Sequence, residues 1–378
     1  MLKRRIYNED HQQFRDALTK LYAKELLPKL EEWEQKGIVD RNFWLTCGEH
    51  GILLPDIPEQ YGGGGQDFRF NAIILEETAF AGTTGPAFGV HNDIVAHYIN
   101  NHANEELKQY WLPRMASGVS IGAICMSEPS TGSDLKAIRT SARRVDGGYV
   151  INGSKNFITN GINADIAIVA ARHADDGETD AISLFVVDAH SDGFIKGRKL
   201  SKVGNRSSDT AELFFENVFV EEQNLIGGKG KGFRLMMKEL PQERLSIAIS
   251  SQAAAQHAFD ITLRYVEERH AFGRPVKDFQ NTRFVLADIK TQLQVGWAHL
   301  DSCIEALVSR QLTPEQAASA KLWHSELRFS VADACLQFFG GYGYIEEYEI
   351  ARLWRDARVM RIYGGTSEIM KELIGRAL

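Results

Sequence analysis

The sequence has few cysteines, no long apolar run and no excess of positive charge, and each absence excludes a class of protein. Its four cysteines, Cys47, Cys125, Cys303 and Cys335, lie far apart and form no CxxC or Cys/His pattern, so we expect buried, reduced thiols and no structural metal. No apolar run reaches the roughly 20 residues of a membrane-spanning helix. The formal net charge of -7 disfavours general binding to nucleic acid or anionic membranes, although a local basic patch could still bind a phosphorylated ligand.

Length and composition indicate a globular protein with more than one domain. The chain has 378 residues, 44% of them apolar and 25% charged, which is typical of a soluble protein too long for one compact core. The first residues are basic, but acidic side chains follow at once and no apolar signal region is present. We therefore expect a cytoplasmic bacterial protein, or a protein of the mitochondrial matrix whose transit peptide has been removed.

The spacing of the apolar residues changes twice along the chain. Helical spacing up to about residue 118 gives way to a period of two, with predicted strands at 149–151, 166–170, 182–187 and 211–219. Helical spacing then returns, with predicted helices at 245–268, 281–309, 314–339 and 367–378. We expect an α+β multidomain protein with an N-terminal α-helical domain (1–118), a middle antiparallel β-barrel or sandwich (119–228) and a C-terminal helical bundle (229–378). A βαβ nucleotide-binding fold is disfavoured.

A carboxylate near the start of the third region is the candidate catalytic base. Pro241 is favoured at the first position of a helix, so the sequence predicts a helix that opens there with Glu243 in its first turn. An acidic residue in that turn is stabilised by the helix dipole, which is a sufficient structural reason for its presence. The residues alone therefore leave both roles of Glu243 open.

Two segments of the β region combine features of a cofactor site. A loop at 124–134 gathers hydroxyl groups, a glycine and backbone amides, which can bind a phosphate or the polar edge of a heterocycle but also suit a domain-boundary turn. In the strand that follows, the two-residue period places Phe157 and Thr159 on one face. That face could shield a planar cofactor, although a phenylalanine on a strand more often belongs to the core.

Three C-terminal segments carry further candidates. Arg269 ends a predicted helix, where an arginine suits the helix dipole and also a bidentate contact with a diphosphate. Residues 337–344 form a glycine-rich helix exit that permits close approach of a backbone. In the segment 361–369, Thr366 or Ser367 can cap the last helix and Glu368 favours its first turn.

These segments, in this order and on this plan of helices, strands and helices, resemble the acyl-CoA dehydrogenase family from about residue 6 to the C-terminus. Members of that family bind FAD at a subunit interface and oxidise an acyl-CoA thioester to its trans-2-enoyl product. The matching residues are Ser127-Glu128-Pro129, Gly132-Ser133-Asp134, residues 155–161, Arg269 with Phe272-Gly273, Gln337 with Gly340-Gly341 and Gly343, Arg355-Asp356-Ala357, and Gly365-Thr366.

The resemblance implies a set of FAD contacts. Residues of the β region would line the flavin ring, residues of a neighbouring subunit would reach the diphosphate and adenosine, and residues 366–368 would close the site. Many members have tryptophan where Phe157 stands, so the aromatic shield is kept but the indole N–H is lost. The implied contacts are Ile124, Met126, Ser127, Gly132, Ser133, Phe157, Ile158, Thr159, Arg269, Phe272, Gln280, Gln337, Phe338, Gly340, Gly341, Thr366, Ser367 and Glu368.

The resemblance also favours Glu243 as the base. Most straight-chain members carry their catalytic glutamate where this chain has Gly364, whereas long-chain and isovaleryl members take it from a Glu-Arg motif that matches Glu243-Arg244. Glu243 is therefore predicted to remove the α-proton, with Glu368 as its rival, and the amide of Gly364 matches the family's donor to the thioester oxygen. The implied substrate contacts are Ser133, Arg234, Pro241, Gln242, Glu243, Arg244, Gly364 and Gly365.

Three segments, 194–200, 210–216 and 240–245, are most similar to long-chain members of the family. The resemblance therefore implies β-oxidation of medium to long saturated acyl-CoA, with electron-transferring flavoprotein as acceptor and a homotetramer built as a dimer of dimers. Pro86-Ala87 stands where long-chain members are expected to have Pro-Gly, which leaves the chain length open. The alternatives are a branched substrate such as isovaleryl-CoA, oxidase or monooxygenase chemistry, and a flavin-binding relative without dehydrogenase activity.

Overall fold

The N-terminal part of the protein is helical in the computed structural model, which describes residues 4–174 and 181–378. The first helix follows Asn8, whose side chain accepts a hydrogen bond from the His11 N–H while the His11 ring bonds back to the Asn8 amide. Asp67 and Asn104 cap two later helices. The helices are α1 (Glu9–Leu21), α2 (Leu30–Lys36), α3 (Arg41–Glu49), α4 (Phe68–Phe80), α5 (Ala96–His102) and α6 (Glu105–Ala116), and π-helical segments occupy Tyr22–Leu26 and Gly89–Val95.

The middle of the chain forms one eight-stranded sheet, in which the four predicted strands are present with longer bounds. The hairpin between the second and third strands turns at Gly147, whose φ of +77° is a conformation that glycine adopts without steric cost. The strands are β1 (Gly122–Cys125), β2 (Ser141–Val145), β3 (Gly148–Thr159), β4 (Ile166–His173), β5 (Ile182–Asp188), β6 (Phe194–Lys199), β7 (Thr210–Glu221) and β8 (Leu225–Ile226).

The sheet is mixed, so the expectation of purely antiparallel pairing is wrong for two strand pairs. The order is β6-β7-β3-β2-β4-β5-β8, with β1 also on β4, and both β1 and β2 run parallel to β4. The other described pairings in this sheet are antiparallel. Apolar spacing cannot reveal this difference, because it reports which face a residue occupies and not the direction of the neighbouring strand.

The longest helix, α7 (Gly232–Glu268), begins well before the predicted start, and Pro241 lies inside it. The prediction that Pro241 opens the helix is therefore wrong. Proline lacks the N–H that would bond to the Met237 carbonyl, and this loss is tolerated because Leu240, Pro241 and Leu245 are all buried. The remaining elements are α8 (Gln280–Val308), α9 (Pro314–Phe339), α10 (Glu349–Ala357), α11 (Ser367–Gly375), β9 (His270–Ala271) and β10 (Arg274–Pro275).

Helix α7 connects the two helical regions and carries the candidate base between them. It packs against α4 and the π-helical segment Gly89–Val95 on one side and against α9 on the other. One apolar cluster joins Ala72 and Leu75 of α4 to Leu245 and Ile249 of α7. Polar contacts add to this packing, since the Gln242 side chain donates to the Asp93 carbonyl at 2.9 Å and the His102 ring bonds to Glu239 at 2.7 Å. The burial of apolar surface on both sides of α7 holds its middle section in place.

No helix in residues 4–174 or 181–378 is both long and apolar enough to cross a membrane. The four cysteines are free and buried, as expected.

Candidate active site

Glu243 and the glycine turn at 364–365 converge, although 121 positions separate Glu243 from Gly364 in the sequence. A Cβ atom placed on Gly364 would lie 3.6 Å from Oε1 of Glu243 and 2.3 Å from Cδ1 of Ile247. Ile247 is one turn after Glu243 on α7, so both side chains face the turn. A side chain at residue 364 would therefore enter the space beside the carboxylate, which is the geometry expected if Glu243 serves where other members use residue 364.

The surrounding protein raises the pKa of Glu243. Burial is the main cause and raises the pKa from its ordinary 4.5 to about 7, while the positive charges of Arg244 and Lys321 act in the opposite direction. Among the described residues, no hydrogen bond or ion pair to the Glu243 carboxylate is present. A carboxylate with a pKa close to neutrality and no fixed partner can both accept and release a proton.

The helix dipole does not lower this pKa, contrary to the expectation from the sequence. That expectation placed Glu243 in the first turn of its helix, whereas the helix begins at Gly232. Dipole effects fall off within the first turn, so a carboxylate in the interior of the helix feels little of the N-terminal charge. Burial is therefore the main influence on the pKa of Glu243.

The turn that follows Tyr363 has an unusual backbone. Gly364 and Gly365 have φ of +63° and +93°, a region that residues with a Cβ rarely adopt. The Gly365 carbonyl accepts a 2.6 Å hydrogen bond from the ammonium of Lys321 on α9. Thr366 caps α11 by accepting from the Ile369 N–H at 3.3 Å, which confirms the predicted cap. The turn is thus held by the hydrogen bond to the Gly365 carbonyl and by the capped start of α11.

The other two residues at the start of α11 have different surroundings. Glu368 is exposed, and its pKa is lowered, first by hydrogen bonds to its own backbone N–H and to Thr366. An exposed carboxylate with a low pKa is a weak general base, so the environment favours Glu243 over this rival. Ser367 is buried, and its hydroxyl donates a 2.7 Å hydrogen bond to the Glu326 carboxylate, so the predicted cofactor contact of Ser367 stays a prediction.

The loop at 124–134 is tied to strand β3 by a buried ion pair. The Lys155 ammonium, with 0% of its side chain exposed, lies 2.8 Å from Oε1 of Glu128 and donates to the Met126 carbonyl at 3.1 Å. The Glu128 carboxylate also accepts from the N–H groups of Arg139 at 2.6 Å and Thr140 at 2.9 Å. Burial lowers the pKa of Lys155 and Glu128 opposes that shift. These bonds fix the predicted flavin loop relative to the strand that carries Phe157.

Phe157 lies at a bulge in β3, which the regular alternation predicted for this strand did not anticipate. The register of β3 on β7 shifts between Lys155 and Ile158, and Phe157 has a φ of +61°. Its ring is 66% exposed, whereas Ile158 is buried in the sheet core. A strained backbone that presents an aromatic ring to solvent is a feature of binding sites. The side chain of Ile158 faces the sheet core, so a contact of this residue with a cofactor would come from its backbone.

Replacing Lys155 with methionine is expected to weaken FAD binding by about ten-fold or more. The change leaves the Glu128 carboxylate buried without its cation, which typically costs about 3–5 kcal/mol and loosens the loop. The dissociation constant of FAD, measured by fluorescence quenching on apoprotein, checks this. Lys136→Met serves as the matched control, because Lys136 lies in the same stretch of chain without a carboxylate partner among the described residues. Unchanged FAD affinity in Lys155→Met would contradict the assigned role of the ion pair.

A cavity of about 520 Å³ brings together two of the predicted C-terminal motifs. It lies between the end of α7 and the end of α9, and both Gly340 and Gly341 have open space where a Cβ would stand. The guanidinium of Arg269 lies 5.9 Å from the centre of the Tyr342 ring in the same wall. The predicted residues that line this cavity are Arg269, Gln337, Phe338, Gly340 and Gly341.

Several predicted contacts are exposed on the surface of the single chain. Phe272 is 96% exposed, and Gln280, Arg234 and Ser133 are also exposed. For Gln280 this exposure is compatible with a contact from a neighbouring subunit to the adenosine half, as the resemblance implies, whereas the resemblance assigns Ser133 to the flavin loop and the substrate, and Arg234 to the substrate. Arg244 is buried beside Glu243, and its Nε has no hydrogen-bond partner among the described residues. A single chain therefore holds the base, the glycine turn and the flavin loop in defined positions. The contacts predicted for the exposed residues are not formed among its described residues.

Sequence patterns did not identify three residues around the base. Lys321 lies in the middle of α9, in a stretch whose spacing shows only a helix. The Tyr98 hydroxyl is buried with no hydrogen-bond partner in the described structure, and burial, together with the charge of Glu243, raises its pKa. Ile247 looks like any apolar residue of an amphipathic helix. Of the three, only Lys321 could have been noticed from the sequence, because a lysine at a helical position that otherwise faces the core is unusual.

Comparisons with known proteins show which family this chain is similar to. Three family models match: the acyl-CoA dehydrogenase N-terminal domain (residues 8–119), middle domain (123–218) and C-terminal domain (230–378). The chain is 45% identical to the mitochondrial long-chain specific acyl-CoA dehydrogenase of Sus scrofa over 377 residues, covering 99% of this chain and 88% of that protein.

Solved structures show the same similarity. The structure of acyl-CoA dehydrogenase from Geobacillus kaustophilus superimposes with a TM-score of 0.96 at 44% identity and covers 99% of both chains. A glutaryl-CoA dehydrogenase from Mycobacterium smegmatis, solved in complex with FADH2, has a TM-score of 0.92 at 27% identity and covers 99% of this chain and 95% of its own.

Proposed function

This chain belongs to the acyl-CoA dehydrogenase family, a family of oxidoreductases, and we propose that it oxidises medium- to long-chain saturated acyl-CoA to trans-2-enoyl-CoA. The observation that carries this proposal is the position of Glu243, whose Oε1 lies 3.6 Å from where a Cβ of Gly364 would stand. The carboxylate that other members place on residue 364 is thereby replaced by one from α7. The same arrangement is expected for long-chain members, to which the chain is 45% identical.

FAD fits the residues that are present. Arg269 and the open glycine surface of Gly340 and Gly341 form a cavity wall that can accept a diphosphate and an adenosine. The exposed ring of Phe157, next to the fixed loop at 124–134, can cover a flavin ring. When bound, FAD supplies the acceptor for the β-hydrogen, which leaves the substrate as hydride.

The part of the reaction that falls to this chain is proton removal and charge stabilisation. We assign the removal of the α-proton to the Glu243 carboxylate, which is about half ionised at neutral pH because burial raises its pKa to about 7. The negative charge that then develops on the thioester oxygen needs hydrogen-bond donors, and the Gly364 N–H is assigned to this role by its match to the family. Gly364 adopts a positive φ, and because it has no Cβ it leaves the space beside the carboxylate free of side-chain atoms.

Substrate length, acceptor, assembly and compartment belong to the same proposal. The 45% identity to a long-chain specific enzyme supports a medium- to long-chain substrate. We propose electron-transferring flavoprotein as the acceptor, a homotetramer as the assembly, and the bacterial cytoplasm, or the mitochondrial matrix in a eukaryote, as the compartment. Exposed apolar side chains such as Phe272, Phe284 and Tyr344 support burial against other subunits.

A substrate series tests the proposal. Purified yellow protein is mixed anaerobically with saturated acyl-CoA from butyryl-CoA to palmitoyl-CoA, and with isovaleryl-CoA, and flavin bleaching is followed over time. We expect the medium and long chains to bleach the flavin fastest. Fastest bleaching by isovaleryl-CoA would assign a branched substrate instead. Bound FAD that no acyl-CoA reduces would indicate a relative without dehydrogenase activity, and steady peroxide formation in air would indicate an oxidase.

A further inference from the structure

Lys321 is a fully buried lysine next to the candidate base. It lies in α9, with 0% of its surface exposed, and its ammonium donates a 2.6 Å hydrogen bond to the Gly365 carbonyl. In the described part of the chain, no carboxylate lies within 4.0 Å of it. A buried ammonium without an ion-pair partner is costly, and an apolar residue would fit a helix core at lower cost. Its presence at this position therefore needs a reason other than packing.

The charged groups around Lys321 come from three helices. Burial, followed by the charge of Arg244 on α7, lowers the pKa of Lys321 to about 8, and Glu326, Glu243 and Glu368 act in the opposite direction. Of the three carboxylates, Glu326 pairs with Arg361 at 2.8 Å, and Glu368 is exposed to solvent. Glu243 has neither a described ion-pair partner nor full solvation. Glu326 has a larger effect on Lys321 than Glu243 has, but Glu243 is the one of the three carboxylates whose charge neither a described ion-pair partner nor solvent offsets.

We propose that Lys321 is a positioning residue for the reaction, which anchors the Gly364-Gly365 turn beside Glu243 and whose positive charge favours the ionised form of the Glu243 carboxylate. This inference rests on the proposed function, because it assigns Lys321 a role in the same proton transfer. It adds a residue that, in the described part of the chain, forms no ion pair with the Glu243 carboxylate.

The anchoring role follows from the backbone of the turn. Two consecutive glycines have the greatest conformational freedom of any dipeptide, so a turn built from them needs outside contacts to keep one shape. The Lys321 ammonium provides such a contact at the Gly365 carbonyl, one residue from the amide assigned to the thioester oxygen. If that bond is lost, the amide donor and the carboxylate no longer keep a fixed separation. Small displacements of such groups lower catalytic rates strongly.

The electrostatic role has a definite sign. A nearby positive charge stabilises the ionised form of a carboxylate and lowers its pKa. The charge of Arg244 acts on Glu243 in this direction, and so, to a smaller extent, does the charge of Lys321. Removing the charge of Lys321 therefore raises the pKa of Glu243 further. As the pH is lowered, the rate of flavin reduction then begins to fall at a higher pH than in the unchanged protein. An effect on folding alone would change the amount of active protein but would not move this pH dependence.

Two variants separate the two roles. Lys321→Met removes both the hydrogen bond and the charge, whereas Lys321→Gln retains an N–H donor without the charge. Lys371→Met, on the exposed side of α11, is the matched control. The holoenzyme of each variant is mixed anaerobically with the best acyl-CoA of the series between about pH 5.5 and 9, a range chosen around the pKa of Glu243. The limiting rate of flavin reduction and the flavin spectrum are recorded, and hydrogen exchange of the peptide covering residues 358–370 is measured without substrate.

We expect the acid limb of the rate profile to move up by on the order of one pH unit in both Lys321 variants, so that the rate at pH 6 falls about ten-fold. Hydrogen exchange in the turn should increase in Lys321→Met more than in Lys321→Gln, and Lys371→Met should match the unchanged protein in both measurements. An unshifted acid limb in Lys321→Gln would overturn the proposal, and this result can be obtained even if Lys321→Met does not fold. Wild-type holoenzyme that no acyl-CoA reduces would instead contradict the proposed function itself.

Discussion

The Glu243→Gln variant is expected to bind FAD and remain yellow, but to reduce its flavin with acyl-CoA about 10²–10⁴-fold more slowly than the unchanged protein. Glutamine has nearly the same shape as glutamate and cannot accept the α-proton. The structure places the Glu243 Oε1 3.6 Å from the position of a Gly364 Cβ, where other members carry their base. Rapid-mixing measurements of flavin bleaching under anaerobic conditions check the rate, and the absorbance spectrum checks that FAD is bound.

Two control variants make this test specific. Glu239→Gln changes a carboxylate one turn earlier on α7, which is held by the His102 ring at 2.7 Å and faces the N-terminal helices, so it should keep most of the rate. Glu368→Gln changes the rival carboxylate, which is exposed. A Glu243→Gln protein that bleaches as fast as the unchanged one, or a loss confined to Glu368→Gln, would overturn the assignment of the base.

The same variant should be more stable than the unchanged protein at neutral and alkaline pH. Burial raises the pKa of Glu243 in the folded state from 4.5 to about 7, so the folded protein favours the protonated carboxyl. The stability contributed by that proton is present in full below about pH 4.5 and is lost as the pH rises through about 7. Glutamine avoids this loss, and the free energy of unfolding should differ by about 1–3 kcal/mol above pH 7 and by little at pH 4.5. Thermal melting at several pH values checks both the sign and the range.

Gly364→Ala should give the second large loss of activity, about 10- to 100-fold in the rate of flavin reduction, with FAD still bound. The new Cβ would stand 2.3 Å from Cδ1 of Ile247, far inside contact distance, and the φ of +63° disfavours any residue with a Cβ by about 1–2 kcal/mol. The Ile247 side chain must rotate away or the turn must shift, and the unfavourable φ acts on the turn that carries the amide assigned to the thioester oxygen. The rate of bleaching at saturating acyl-CoA is the measurement.

The Ile247→Val change tests whether the clash with Ile247 contributes to the loss of activity in Gly364→Ala. Valine lacks the Cδ1 atom that clashes, so Gly364→Ala combined with Ile247→Val should recover part of the lost rate, while the strain from the positive φ remains. Gly375→Ala, at the end of α11 where nothing lies within 4 Å of an added Cβ, is the glycine control and should behave like the unchanged protein. Full activity in Gly364→Ala alone would show that the turn does not need glycine.

Several features of the fold follow from local chemistry and were therefore predictable. The change in apolar spacing near residue 119, and its return after residue 224, correspond to the sheet and to the C-terminal helices. Thr366 caps α11 because a threonine side chain can satisfy the amides of the helix start. The start of α7 was mispredicted at Pro241, because the preference of proline for the first turn is a local rule and tertiary packing overrides it. Strand direction in the sheet was missed for a related reason, since side-chain spacing carries no information about it.

The sequence by itself determined the three regions, the family resemblance and the candidate base, because these depend on residue type and spacing along the chain. Only the tertiary structure decided that Glu243 and Gly364, 121 positions apart, share one site, and that Lys321 from a third helix contacts the turn. It also decided the pKa of Glu243, which burial raises where a helix start would have lowered it. Distances and desolvation arise from the packing of elements that are remote in the sequence, so no local pattern can specify them.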